Sequence, residues 1–201
     1  MMTNNSLQAR AQADLPTEYG NFKVIAYALD QEPPTLLIYK GDLKSVKEPM
    51  VRVHSECFTG DVLGSLRCDC GPQLHAALQK IEAAGCGAVI YLRQEGRGIG
   101  LVNKLKAYRL QEQGFDTVEA NQQLHLPVDS RSYEVAANIL QDQGVSHIDL
   151  LTNNPDKMKQ LSLEGITIDH RIPLEIPANQ FDQKYLQTKK RKLHHLLSEV
   201  D

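Results

Sequence analysis

Three thiols with metal-like spacing sit in one short stretch. Cys57, Cys68 and Cys70 form a C-x10-C-x-C array, crowded by Arg52, His54, Glu56 and Arg67. Thiolate is a strong zinc ligand, and a tetrahedral ion with three protein ligands keeps one position for water or substrate. The spacing is not the paired C-x-x-C knuckle of a structural ribbon. No fourth cysteine or C-terminal histidine pair lies nearby, so the array reads as a catalytic zinc site. Two other readings stand beside it: a closed structural site with His54 as fourth ligand, or three separately packed thiols. Cys86, in Gly-Cys-Gly, reads as a packed residue.

A second stretch suits anions. The apolar run Ala88 to Leu92, the mark of a strand buried on both faces, ends in R-Q-E-G-R-G-I-G-L, residues 93–101. A helix carrying Asn103, Lys104 and Lys106 follows. Strand, glycine turn and helix N-terminus bring free backbone N–H groups and a positive dipole end to one spot, which suits phosphate. The turn lacks the G-K-[ST] of a Walker loop, and Leu101 stands where a Rossmann fingerprint needs glycine. A plain tight turn explains Gly96, Gly98 and Gly100 equally well. Glu95 and Arg97 favour a site, because a carboxylate can accept from a base and an Arg fork can hold phosphate. A second junction appears where His147 to Leu151 runs into T-N-N-P-D-K. There Asn154 reads as N-cap and Pro155 as the first helical residue, with Thr152 and Lys157 in reach of an anion.

Several residues read two ways. Gln73 can cap a helix or bind beside the metal loop. Tyr108 can be half-buried packing, Thr117 and Glu119 can face a cleft, and Asp129 is a natural N-cap for the helix through Val135 and Ile139.

These groups need a frame. Strands are expected at 22–29, 35–39, 50–54, 88–92, 147–151 and 166–172. In Met50 to His54, Val51 and Val53 point one way and Arg52 and His54 the other, so the strand anchors itself while offering two polar groups. A loop over 60–66 lets Cys57 converge with the Cys68/Cys70 pair. Leu74, Ala77, Leu78 and Ile81 mark a helix that Gly85 stops. Further helices are expected through 107–113, before Gly144, after Pro155 and over 179–197, the last with a basic run, Lys189 to Lys192, read as a solvated face. Residues 1–14 and 198–201 are expected to fray. The whole is one α+β domain, 1–201, with a mixed central β-sheet flanked by helices.

Composition bounds the rest. Hydrophobic residues at 41% and charged residues at 23% describe an ordinary globular chain. A formal charge of -3 argues against nucleic-acid binding. No apolar leader and no membrane-length run is present, and clustered thiols suit a reducing compartment, so a cytoplasmic protein without membrane partners is expected.

Taken together the motifs resemble GTP cyclohydrolase II, across nearly the whole chain from L-P-T-E-Y-G-N-F to the C-terminal helix. R-V-H-S-E-C-F-T-G-D with S-L-R-C-D-C-G-P-Q carries most of the likeness, and R-Q-E-G-R-G-I-G-L, D-T-V-E-A-N and L-L-T-N-N-P-D-K agree. The resemblance implies one zinc per chain on Cys57, Cys68 and Cys70, and Mg²⁺ with the triphosphate. It implies GTP contacts from Arg52, Val53, His54, Ser55, Glu56, Gln73, Glu95, Gly96, Arg97, Thr117, Thr152 and Lys157. Asp129 would match the proton acceptor, Arg131 the proposed nucleophile and Tyr108 the active-site tyrosine. Because guanidinium holds its proton at working pH, Arg131 acts either as a nucleophile with Asp129 as base, or by neutralising charge on phosphorus. The resemblance further implies a homodimer, a monofunctional enzyme without a fused synthase domain, and release of formate and pyrophosphate in riboflavin biosynthesis. The alternative is a GTP sensor with a structural zinc and no turnover.

Overall fold

Alternating apolar residues build a seven-stranded sheet. In this computed structural model, which describes residues 7–28 and 33–200, the strands are β1 (Gln8–Thr17), β2 (Gly20–Ala28), β3 (Thr35–Lys40), β4 (Met50–Ser55), β5 (Gly87–Leu92), β6 (His147–Leu151) and β7 (Thr167–Ile172). Their order is β1-β2-β3-β5-β4-β6-β7. The pairs from β1 through β3 to β5 are antiparallel, and those from β5 through β4 and β6 to β7 are parallel. The sheet is mixed and the fold α+β, in line with the sequence pattern.

Helices cover both faces: α1 (Phe58–Asp61), α2 (Cys70–Ala84), α3 (Gly100–Gln111), α4 (Thr117–Gln123), α5 (Glu134–Asp142), α6 (Pro155–Leu163) and α7 (Gln183–Leu193). Val51, Val53, Ile90 and Leu150 pack with Ala136, Ile139 and Leu140 of α5 and Leu161 of α6. The alternate residues Val89 and Leu151 pack with Ala77, Leu78 and Ile81 of α2. Arg52 is in register with Val89 and His54 with Tyr91. Both polar side chains therefore lie on the α2 face, beside the start of that helix.

β4 has β5 on one side and β6 on the other, so the chain leaves β4 first one way and later the other. Such a switch opens a crevice beyond the carboxyl ends of parallel strands. The residues that follow β4, β5 and β6 are Glu56–Cys57, Arg93–Gly98 and Thr152–Asn154. The motif residues sit where the topology leaves room.

Several local expectations change. Residues 8–14, expected to fray, are held in β1 by pairing with β2, although most of their surface is exposed. At the other end Val200 is buried with Leu186 and Leu197, and the Ser198 N–H donates to Glu175, so 198–200 are ordered. Residues 1–6, Leu29 of the expected 22–29 strand, and Asp201 lie outside the described residues. The helix expected over 179–197 is the shorter α7, because a turn built by Asn179 and Asp182 precedes it and His194, at φ 54°, ends it. The loop expected at 60–66 begins inside α1, and Thr117 opens α4, fastened by a capping box between Asp116 and Glu119. Asp129 caps no helix: α5 starts after Tyr133 without a side-chain cap. Among the described residues no helix is long and apolar enough to cross a membrane.

Candidate active site

The three thiols converge. Their sulfurs all lie within 4.8 Å of one another, with Cys57 and Cys68 at 3.6 Å. Gly60 makes the room, since a Cβ there would meet the Cys68 and Cys57 sulfurs at 3.0 and 3.1 Å. Asp61 fixes the loop by accepting from the Cys57 N–H (2.9 Å) and the Tyr91 hydroxyl (2.8 Å). It also faces His54 Nε2 at 3.2 Å, which turns that ring away from a ligand role. Burial pushes the His54 imidazole down against the pull of Asp61, so it is neutral. Among the described residues no fourth His, Asp or Glu donor joins the sulfurs.

Without a cation the cluster shares its protons unevenly. Hydrogen bonds from Cys68 and Cys70 drive Cys57 far below an ordinary thiol. The bond to Cys57 pushes Cys68 up to about 11, and Cys70 rises for the same reason. Three converging sulfurs in a space kept by glycine fit a soft dication, which would displace two protons. Lys104 Nζ lies 3.0 Å from the Cys57 sulfur and 2.8 Å from Glu95 Oε1. Burial pulls its ammonium down, but Cys57 and Glu95 raise it further than burial lowers it. The other Glu95 oxygen accepts from the Phe58 N–H at 2.6 Å, tying the glycine turn to the cysteine loop. Tyr108 stands beside this end, its ring under the Arg67 guanidinium at 4.3 Å and its hydroxyl 3.5 Å from that of Thr59.

The opposite end is cationic. Arg97 Nη1 and Nη2 and Arg52 Nε are buried without a partner among the described residues. Buried guanidinium donors are seldom left unpaired, and an anion in the cleft would satisfy them. Arg97 is held at φ 61°, a strained conformation for a non-glycine residue. It is stabilised there by Ser130, whose N–H and hydroxyl both donate to the Arg97 carbonyl at 3.1 Å. A Cβ on Gly98 would lie 2.4 Å from the Ser130 hydroxyl, so only glycine lets the two loops meet. That contact brings Arg97 toward Asp129 and Arg131. Arg131 Nε donates to both Asp129 oxygens (2.9 and 3.1 Å), and Nη2 adds a further bond. Burial opposes both charges, yet the pairing holds Asp129 below the usual carboxylate range and raises Arg131. Lys157 donates to the Val53 carbonyl. Burial, then Arg52, Arg131 and Lys189, push its ammonium well below the usual lysine range.

One open cleft joins the two ends. The three cysteines line it with Arg52, His54, Ser55, Glu56, Gln73, Glu95, Gly96, Arg97, Tyr108, Thr117, Arg131, Thr152 and Lys157. Val53 turns its side chain into the core, and Asp129 reaches the cleft through Arg131. Glu119 lies on the exposed side of α4 and binds Lys192.

Sequence reasoning missed Lys104, Asn153, Asn154, Tyr185, Lys189 and His195, all of which line the cleft. A signal existed for Lys104: with Ala107, Tyr108 and Gln111 it follows the i, i+3, i+4, i+7 rule of one helix face. The solvated-face reading of Lys189 to Lys192 is corrected at Lys189, which is only 8% exposed. His195 is pushed down to about 2 by burial and then by Lys189, Arg131 and Arg97, and is therefore neutral.

The chain's residues 8–173 match the family model described as GTP cyclohydrolase II. It is 55% identical over 186 residues to a riboflavin biosynthesis protein RibBA of Bacillus cereus, covering 92% of this chain and 47% of that protein. Against RibBA of Bacillus subtilis the identity is 56% over 185 residues, covering 91% and 46%. The chain thus spans about half the length of the curated relatives it matches. Among solved structures, RibBX, a two-domain 3,4-dihydroxy-2-butanone 4-phosphate synthase from A. baumannii, is 20% identical with a TM-score of 0.46, covering 86% of this chain and 41% of that one.

Proposed function

The chain belongs to the GTP cyclohydrolase II family, and from that premise we propose that it hydrolyses GTP to 2,5-diamino-6-(5-phosphoribosylamino)pyrimidin-4(3H)-one, releasing formate and pyrophosphate. This is the entry reaction of riboflavin biosynthesis. The observation that carries the reading is the pairing, in one cleft, of a three-sulfur cluster with a cluster of buried, unpartnered guanidinium nitrogens.

Cys57, Cys68 and Cys70 would hold zinc. Bound there, it supplies a Lewis acid that brings the pKa of water to about 7. Lys104 draws charge from the Cys57 sulfur through their hydrogen bond and so offsets the electron-rich thiolate shell. Tyr108, beside the sulfurs and kept protonated by burial, donates to oxygen as charge develops at the opening ring.

At the other end Arg97, Arg52 and Lys157 take the triphosphate, and Mg²⁺ arriving with it would neutralise part of its charge. Arg131 is the clamp on the phosphorus being transferred. Its carboxylate partner raises the guanidinium instead of stripping its proton, which favours charge neutralisation over nucleophilic attack. Asp129 keeps the fork pointed, and water is the nucleophile. A homodimer, expected of the family, would cover exposed apolar residues such as Val62, Leu63 and Val102. Sedimentation at micromolar concentration tests it.

A GTP sensor with a closed zinc shell is disfavoured by the His54 ring, which faces Asp61 and leaves the shell at three sulfurs. The deciding experiment supplies GTP and zinc and measures both products. Formate and pyrophosphate in equal amounts support the reading, whereas GTP binding without either product over hours establishes the sensor.

A further inference from the structure

The segment after β7 lies beyond residues 8–173, where the family match ends, yet it closes one wall of the cleft. Its attachment is specific. Asn153 exchanges two hydrogen bonds with the Leu174 backbone (2.8 and 2.9 Å) and accepts from the Leu196 N–H (2.8 Å). Asn179 donates to the Leu66 carbonyl of the metal loop at 3.1 Å. Leu186, Leu197 and Val200 form a small core of their own.

Within the basic run of α7 the residues divide. Lys190 reaches the Val200 carbonyl and Lys192 the exposed acids Asp116 and Glu119. Lys189 alone turns inward, its Nζ 2.5 Å from Asp69 Oδ1 and 4.6 Å from the Tyr185 ring centre. Asp69 stands between Cys68 and Cys70 and is 2% exposed. A carboxylate so buried is tolerated only with a charged partner. The chain of bonds continues: Gln73 Nε2 donates to Asp69 Oδ2 (2.6 Å), and Arg52 Nη2 donates to Gln73 Oε1 (2.7 Å). It ends at Arg52, whose other amino nitrogen is fixed to the Leu151 carbonyl (3.0 Å) and whose Nε has no partner among the described residues.

We propose that Lys189 is a positioning residue of the GTP site: by neutralising Asp69 it fixes Gln73 and, through it, the Arg52 guanidinium facing the substrate. The C-terminal helix is then part of the active site. This rests on the GTP reading above. Without Lys189, Asp69 keeps an unbalanced negative charge inside a site meant for a triphosphate, and the Gln73–Arg52 relay loses its fixed end.

The test compares Lys189→Met, Lys189→Arg and the neutral pair Lys189→Met with Asp69→Asn in steady-state GTP turnover, alongside melting curves and zinc content. Lys189→Met is expected to raise KM about tenfold with kcat changed less than about threefold and zinc content unchanged. Lys189→Arg keeps the charge and is expected to restore KM to within about threefold of the parent. In the neutral pair Asn can still accept from Gln73, so KM returns most of the way. A merely structural ion pair would lower the melting temperature and leave KM alone, and that result overturns the proposal. So does a neutral pair with KM as high as that of the single variant. The pair leaves no buried unpaired charge, so it keeps the test available if Lys189→Met fails to fold. A parent chain that turns over no GTP overturns the functional reading itself and this inference with it.

Discussion

The sulfur end and the cationic end of the cleft are built on opposite imbalances. At the first, three sulfurs crowd together with Glu95 close by, and Lys104 is the cation that answers them. At the second, Arg52, Arg97, Arg131, Lys157 and Lys189 gather around two carboxylates, Asp69 and Asp129. The sulfur cluster deals with its surplus by holding protons, Cys68 rising to about 11. The cationic cluster deals with its own by pushing Lys157 down and leaving guanidinium nitrogens unpaired. Each end is unfavourable alone, and a ligand of opposite charge would complete it. A site of this kind gives up stability for function.

Substitutions at either end should therefore separate the two products. Cys68→Ser removes one of the three sulfurs proposed to hold zinc and is expected to lower formate release roughly 10³-fold, with pyrophosphate release much less affected. Equal loss of both products would break the contrast. At the other end Arg131→Lys keeps a charge but loses the fork, and pyrophosphate release should fall about 10²-fold. Rapid-quench analysis for a phosphorylated protein sharpens this point, since none is expected if Arg131 only neutralises charge.

Proton release gives a measure of the sulfur end without turnover. Cys68 and Cys70 are protonated at neutral pH in the metal-free chain, whereas Cys57 is already a thiolate. Zinc binding then displaces two protons, so affinity should fall roughly 100-fold for each unit the pH drops near neutrality. Competition with a chromophoric chelator across pH reads the slope. The smallest effect is expected at Lys157, a buried cation among cations. Lys157→Met should weaken GTP binding about tenfold while raising stability by about 1 kcal/mol, a rise of roughly 2–4 °C in melting temperature. Lower stability in that variant would show that the site is not strained by its own charge.

Much of this was legible along the chain because short motifs end strands. Periodicity in 50–54 separated Val51 and Val53 from Arg52 and His54, and the structure puts the two pairs on opposite faces. The Asn154–Pro155 helix start stands as read, with the Asn154 side chain accepting from the Asp156 N–H. What stayed hidden was long-range. Nothing local in K-K-R-K distinguishes Lys189 from its neighbours, because its partner Asp69 lies 120 residues away along the chain and one face of α7 selects it. Asp129 looked like a helix cap because its position before an apolar stripe fits one. Its partner is instead Arg131, two residues on, in a loop that bends back against Arg97. The order in β1 could not be read from burial, since backbone pairing and not a packed face secures it.

The most direct test strips metal from the chain under anaerobic conditions, verifies its absence by mass spectrometry, and follows both products from GTP. The account predicts that formate release disappears and returns when zinc is restored, with pyrophosphate release surviving in the stripped protein. Formate produced at the full rate by the metal-free chain would contradict it.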